Sequence, residues 1–215
     1  MGRSTDFFKQ GLYYHVYNRG TDKRDIVTDK KELYYFLDNL ILCNSGVSLN
    51  GVDSRKKIKE KIKDDEKGPL VAIVAYAILP NHFHLLLKEI KEGGISKFMQ
   101  RFSTSFTMFF NEKHERSGVL FQGRFKAKEV DNPLALSAYV NLNYVHHNLD
   151  PKEHFVRTSM FEYAGKQERD LICDPGEIKF ILDLTDGDFV EYRKIAKEYS
   201  EIFVETHKRE KDFLL

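Results

Sequence analysis

Tryptophan is absent from this 215-residue chain, and cysteine occurs only twice, at Cys43 and Cys173. Two thiols so far apart suggest neither a disulfide framework nor a cysteine zinc site, and they point to a reducing, cytoplasmic setting. No apolar run reaches the roughly 18 residues that a membrane-crossing helix needs. The opening Met1-Gly2-Arg3-Ser4-Thr5-Asp6 leads into no apolar segment, so no secretory signal is expected. Net charge is also scarce: 34 Lys and Arg stand against 33 Asp and Glu, for a sum of +1. That sum is low for a dedicated nucleic-acid binder. What the chain does have is 41% apolar and 13% aromatic residues, enough for the core of one domain of ordinary size.

The near-neutral total hides an asymmetry. Between positions 97 and 128 there are seven basic residues against two acidic ones, whereas from Asp150 onward sixteen acidic residues outnumber eleven basic ones. A local basic face can hold phosphates whatever the overall sum. Lys and Arg in this middle region are equally compatible with a merely solvated face.

Alternation of Leu12, Tyr14 and Val16 with Tyr13, His15 and Tyr17 predicts a first strand between Gly11 and Gly20. His15 is read there as lining a polar strand face. Asp29 to Asn44 carries a helical apolar stripe. Leu49 to Gly68 is a charge run with little to pack, and reads as a loop insertion. Leu70–Leu79 and His82–Lys88 are two apolar strands separated by Pro80-Asn81, a hairpin candidate. Ile95 to Lys113 is a long amphipathic helix whose phenylalanines recur at core spacing. Arg124 to Val130 is a fourth strand. Asn132-Pro133 then opens a further helix, capped by Asp131 or Asn132 and running to about Asn148. The order matches an α+β, ferredoxin-like βαββαβ antiparallel sheet with one added helix, followed by a helical C-terminal extension strongest from Asp188 to Lys211. The expected division is a domain over 1–150, with the 49–68 insertion, and an extension over 151–215.

Chemistry concentrates in Leu79-Pro80-Asn81-His82-Phe83-His84. Alternate residues of a strand share a face, so His82 and His84 stand about 7 Å apart on one side and can converge on a metal ion. Taken alone, they are more simply two satisfied polar groups. In the helix after the fourth strand, Tyr139, Asn143 and His146 or His147 fall on one stripe, with Leu134, Ala138, Leu142 and Val145 on another. A tyrosine hydroxyl ionises near pH 10, and a divalent ion beside a phosphodiester would help it attack phosphorus. The Asn143 oxygen could then be a third ligand, leaving positions open for water and a phosphate oxygen.

Several segments together resemble the single-tyrosine HUH transposases of the insertion-sequence-200-like family, and within them the REP-associated tyrosine transposases. These are Tyr14-His15-Val16-Tyr17-Asn18-Arg19-Gly20, Leu79 to Leu86, Gly118 to Lys126, Tyr139-Val140-Asn141-Leu142-Asn143, and Thr158 to Gly165. The likeness implies that His82 and His84 are metal ligands, that Asn143 is the third, and that Tyr139 is the nucleophile. It implies nicking and rejoining of single-stranded DNA with Mg²⁺ or Mn²⁺, through a 5′-phosphotyrosine link and a free 3′-hydroxyl, at hairpins of repeated palindromes. Arg101, Arg116, Arg124 and Lys126 are the candidate DNA contacts. No membrane partner is implied, and the family contains both homodimers and monomers.

The chain departs from the family pattern in carrying Tyr144 where a proline usually follows the asparagine. That departure and the small net charge leave room for a descendant that binds DNA without cutting it. A third reading is a metal-dependent phosphoesterase that uses water as its nucleophile.

Overall fold

The alternation at the start of the chain survives in three dimensions. In β1 (Tyr13–Arg19) Tyr14, Val16 and Asn18 are buried on one face, while Tyr13, His15 and Tyr17 are half-buried on the other. The computed structural model describes residues 8–46, 67–151, 154–166 and 170–212, with the backbone alone from 203. Of the charged insertion expected over 49–68, positions 49–66 lie outside the described residues.

A 3₁₀ turn (Thr21–Lys23) leads to α1 (Lys30–Asn44), β2 (Val71–Ile78), β3 (His82–Glu89), α2 (Gly94–Lys113) and β4 (Lys126–Val130). Then come α3 (Pro133–Asn141), α4 (Asn143–His146), β5 (Arg157–Thr158), α5 (Met160–Tyr163), α6 (Pro175–Asp183) and α7 (Phe189–Asp212). The sheet order is β4-β1-β3-β2-β5, antiparallel throughout. Its first four strands are the expected ferredoxin-like sheet, and β5 adds a short edge to β2. Gly20 ends β1 where a Cβ would lie 2.2 Å from the Arg24 carbonyl oxygen, so no larger residue fits that turn.

α1 and α2 cover one face. Phe36, Phe83, Phe102 and Phe106 are fully buried there, which confirms the phenylalanine spacing as core. α3 covers the opposite face, over β2 and β3. The side chains that β2 offers beneath it, Ala75 and Ala77, are small and let the helix approach closely. Asp29 caps α1 and Asn132 caps α3, each accepting a backbone N–H three residues on.

The helix expected to run to about Asn148 stops at Asn141. Leu142 (φ −106°, ψ 11°) interrupts it, and a single turn follows. A straight helix would send residues 141 and 143 to nearly opposite sides. The break lets both asparagines be fully buried, each in its own polar surroundings. It also turns Val145 outward to 51% exposure, away from the apolar stripe it was expected to share with Leu134, Ala138 and Leu142.

Among the described residues no helix is long and apolar enough to cross a membrane.

Candidate active site

Register decides what the histidines meet. In the β1–β3 ladder Tyr17 lies opposite His84 and Arg19 opposite His82, so these side chains share one face of the sheet. The His82 and His84 rings are 5.2 Å apart, centre to centre, and nearly perpendicular. His15 reaches across from β1, with its Nε2 2.8 Å from His84 Nδ1. The expectation that His15 merely lines a polar strand face is therefore corrected: diagonal pairing across the ladder delivers it to His84.

These partners fix which nitrogen each ring presents. Asn81 Oδ1 accepts from His82 Nδ1 at 2.6 Å, so the proton of a neutral ring sits on Nδ1 and Nε2 keeps its lone pair. If His84 Nδ1 donates to His15 in the same way, His84 Nε2 is also bare. Such outer partners commonly set the tautomer and orientation of a metal-ligating histidine. Burial, with His147 nearby, pushes His82 down to about 4. Burial and then His15 hold His84 well below the usual histidine range. Both rings are neutral at pH 7, as metal ligands must be.

Tyr139 comes down from α3 onto this pair. Its ring lies 5.8 Å from His84 and 6.1 Å from His15, edge-on to both, and stacks at 5.6 Å on His146. Burial raises the phenol above its ordinary value, a shift that nearby Asn143 opposes. Asn143 is fully buried beside both His82 and Tyr139. It lies close enough to both to act on their titration as a hydrogen-bonding group, yet neither its Oδ1 nor its Nδ2 meets either of them at a distance and angle that make a full hydrogen bond. A buried amide left so costs on the order of 1–3 kcal/mol, and such a group calls for an explanation. No three His, Cys, Asp or Glu side chains converge on a metal position among the described residues. The donor that stands with His82 and His84 is this neutral amide. Two imidazole nitrogens and one amide oxygen suit a divalent cation with open positions.

A second layer holds the helix in place. Asn141 Nδ2 donates to Tyr192 Oη on α7 at 2.9 Å, and its Oδ1 accepts from Ser159 Oγ at 2.6 Å. Ser159 Oγ in turn accepts from the Tyr76 N–H of β2. Tyr163 donates to the Val74 carbonyl at the register shift in β2 and stacks on Tyr192. The segment Thr158–Gly165 thus pins the α3 end to the sheet. His146 is tied to Ser200 of α7.

The four cationic candidates divide. Arg101 projects on the helical layer, across the sheet from the histidines, and donates to the Ser45 carbonyl at 2.7 Å. Arg116 donates to Asn111 Oδ1 and the Val119 carbonyl, bracing the loop after α2. Arg124 and Lys126 are exposed. Lys126 pairs in register with Tyr17, on the histidine face, and so does Lys128 with His15. Lys128 and Arg19 extend a basic margin along that face that sequence reasoning had not singled out.

A family model described as "Transposase IS200 like" matches residues 9–148. The chain belongs to the IS200-like transposase family. Among solved structures, a REP-associated tyrosine transposase bound to a REP hairpin matches with a TM-score of 0.52 at 13% identity, covering 83% of this chain and 93% of that one. At that identity the likeness speaks for the fold. A proposed transposase from Deinococcus radiodurans R1 matches with a TM-score of 0.37 at 14% identity, covering 68% of this chain and 97% of that one. A search of curated proteins finds no match.

Proposed function

We propose that this IS200-like transposase nicks and rejoins single-stranded DNA with Tyr139 as nucleophile and with His82, His84 and Asn143 holding a Mg²⁺ or Mn²⁺ ion. The observation that carries the reading is the unpartnered Asn143 amide, buried beside His82 and Tyr139. When bound, the cation would polarise the scissile phosphodiester and neutralise developing charge. Tyr139 Oη attacks phosphorus, the bond to the 3′ oxygen breaks, the phenolic proton passes to solvent, and the departing 3′ oxygen takes up a proton from solvent. The strand then carries a 5′-phosphotyrosine and leaves a free 3′-hydroxyl. Attack by a 3′-hydroxyl on that link restores the phosphodiester and returns the phenol, so the bond energy is kept for rejoining. His82, His84 and Asn143 orient the phosphate, while Asn141, Ser159 and Tyr192 hold α3 over it.

Hairpin DNA is the substrate class this reading favours, because the fold's relative is bound to a REP hairpin. Lys126 and Arg124 would meet phosphates beside the site, while Arg101 and Arg116, both bonded within the protein, would contribute less. The catalytic unit in this reading is residues 1–150, with 151–215 as an extension that braces it. The test is incubation of the protein with single-stranded hairpin DNA and Mg²⁺ or Mn²⁺, followed by denaturing electrophoresis. A covalent adduct that vanishes in Tyr139→Phe is expected. No adduct from the wild type, or the same adduct from the variant, overturns the reading.

A second reading, DNA binding without cleavage, draws on Tyr144 in place of the family's usual proline and on the small net charge. It predicts salt-dependent hairpin binding and no adduct with any metal.

A further inference from the structure

A groove of about 730 Å³ lies between α4, α5 and α7, outside the histidine cluster. Its wall includes three cations, Lys166, Arg193 and Lys197, against one carboxylate, Glu201. Arg193 and Lys197 stand one turn apart on the same side of α7, and all three cations are exposed. None of the three is in an ion pair among the described residues. Phe161 lines the same groove with 43% of its surface exposed, and Arg157 sits over its ring at 4.5 Å. The groove does not end blindly. His146 is on its wall, and the His146 ring is stacked on Tyr139 at 5.6 Å. The groove therefore begins one ring away from the phenol.

We infer that this groove binds single-stranded DNA leading away from the phosphate at Tyr139. The inference rests on the strand-transfer reading for its direction, but its chemistry is its own. Cations at helical spacing meet successive phosphates, and an exposed phenylalanine backed by a guanidinium offers a face on which a base stacks. This combination of a basic track and an aromatic platform is what single-strand binders use, and it needs no particular base sequence. The acidic excess of the C-terminal region makes the location informative: within a segment whose total charge repels DNA, the groove wall carries three cations and one carboxylate.

The experiment measures binding of a fluorescent oligothymidylate, with no hairpin, by anisotropy over a range of salt. It uses the full chain as wild type, Arg193→Glu/Lys197→Glu, and Phe161→Ala, with circular dichroism to show that each variant folds. The double variant binds at least about tenfold more weakly, and its log affinity falls less steeply with log salt, by about 0.7 for each lost phosphate contact. Phe161→Ala binds about 5- to 100-fold more weakly with an unchanged salt slope, because stacking releases no counterions. Equal binding by wild type and double variant overturns the inference, as does no binding by wild type. A change in sedimentation of the double variant with unchanged oligothymidylate binding also overturns it, and makes the groove a protein interface. The adduct assay separates the two proposals. Adduct formation together with groove-independent binding removes only the groove. Groove-dependent binding without an adduct removes only the strand-transfer reading.

Discussion

The two faces of the sheet are built on opposite terms, and one strand serves both. On the helical face Phe36 packs against Phe102 at 4.6 Å and Phe83 at 5.4 Å, with every ring fully buried. On the other face of the same β3, His82 and His84 meet His15, Tyr139 and the Asn143 amide. The first face satisfies every apolar surface it presents. The second buries polar rings and leaves an amide without a partner. Alternation along β3 thus separates the two faces residue by residue: Phe83 belongs to the apolar core, and its neighbours on either side to the polar cluster proposed as the active site.

The comparison can be broken at several points. The largest expected effect is on the chemical face: Tyr139→Phe lowers adduct formation by at least about 10³-fold while the melting temperature stays near that of wild type. A variant that unfolds would show that this face carries stability as well. On the helical face, Phe102→Ala opens a cavity and destabilises by about 3–5 kcal/mol in urea unfolding, with metal affinity of the folded fraction unchanged.

Next comes Glu32 at the start of α1, fully buried. Burial pushes its carboxyl up, but Lys113, Thr28 and His114 outweigh this and hold it below its ordinary value. Glu32→Gln is expected to cost about 2–3 kcal/mol at pH 7. Because the folded carboxyl titrates lower than the unfolded one, that contribution is complete above the ordinary value of 4.5 and is lost as pH falls through the folded value. The gap between wild type and variant therefore closes in acid, and a gap that widens there would contradict the pairing.

A subtler pair sharpens the chemical face. His15→Phe removes the hydrogen-bond partner of His84 Nδ1 and weakens Mn²⁺ binding by about 10- to 100-fold, read by electron paramagnetic resonance. His15→Gln, which restores an acceptor oxygen, weakens it less. Equal affinity in all three proteins would mean that His84 needs no orienting partner. The smallest expected change in stability is at Asn143→Leu, which removes the unpartnered amide and leaves stability equal or higher by about 1 kcal/mol while reducing Mn²⁺ affinity.

Much of this was legible in the chain itself. The alternation in β1, the stripe of phenylalanines in α2 and the Asn132-Pro133 start of α3 all declare themselves locally, and the structure follows them. The meeting of His82, His84, Tyr139 and Asn143 was readable once the motifs were taken together. His15 was not, because its partner lies 69 positions away and is chosen by strand register. Nor could charge clustering foretell that Arg101 and Arg116 are bonded to backbone carbonyls, since those carbonyls come from turns whose path only the folded chain defines. The break at Leu142 escaped for a related reason: it answers to Tyr192 and Ser159, both supplied by segments further along.

That dependence on Tyr192 has a consequence for synthesis. Tyr139 leaves the ribosome well before α7 does, yet the Asn141 amide that ends its helix waits for the Tyr192 hydroxyl. A growing chain therefore carries its histidines and its tyrosine for some time before the last brace on α3 exists. The geometry around Tyr139 is therefore complete only once α7 has emerged, and a fragment lost before α7 lacks the clasp that holds Tyr139 in place.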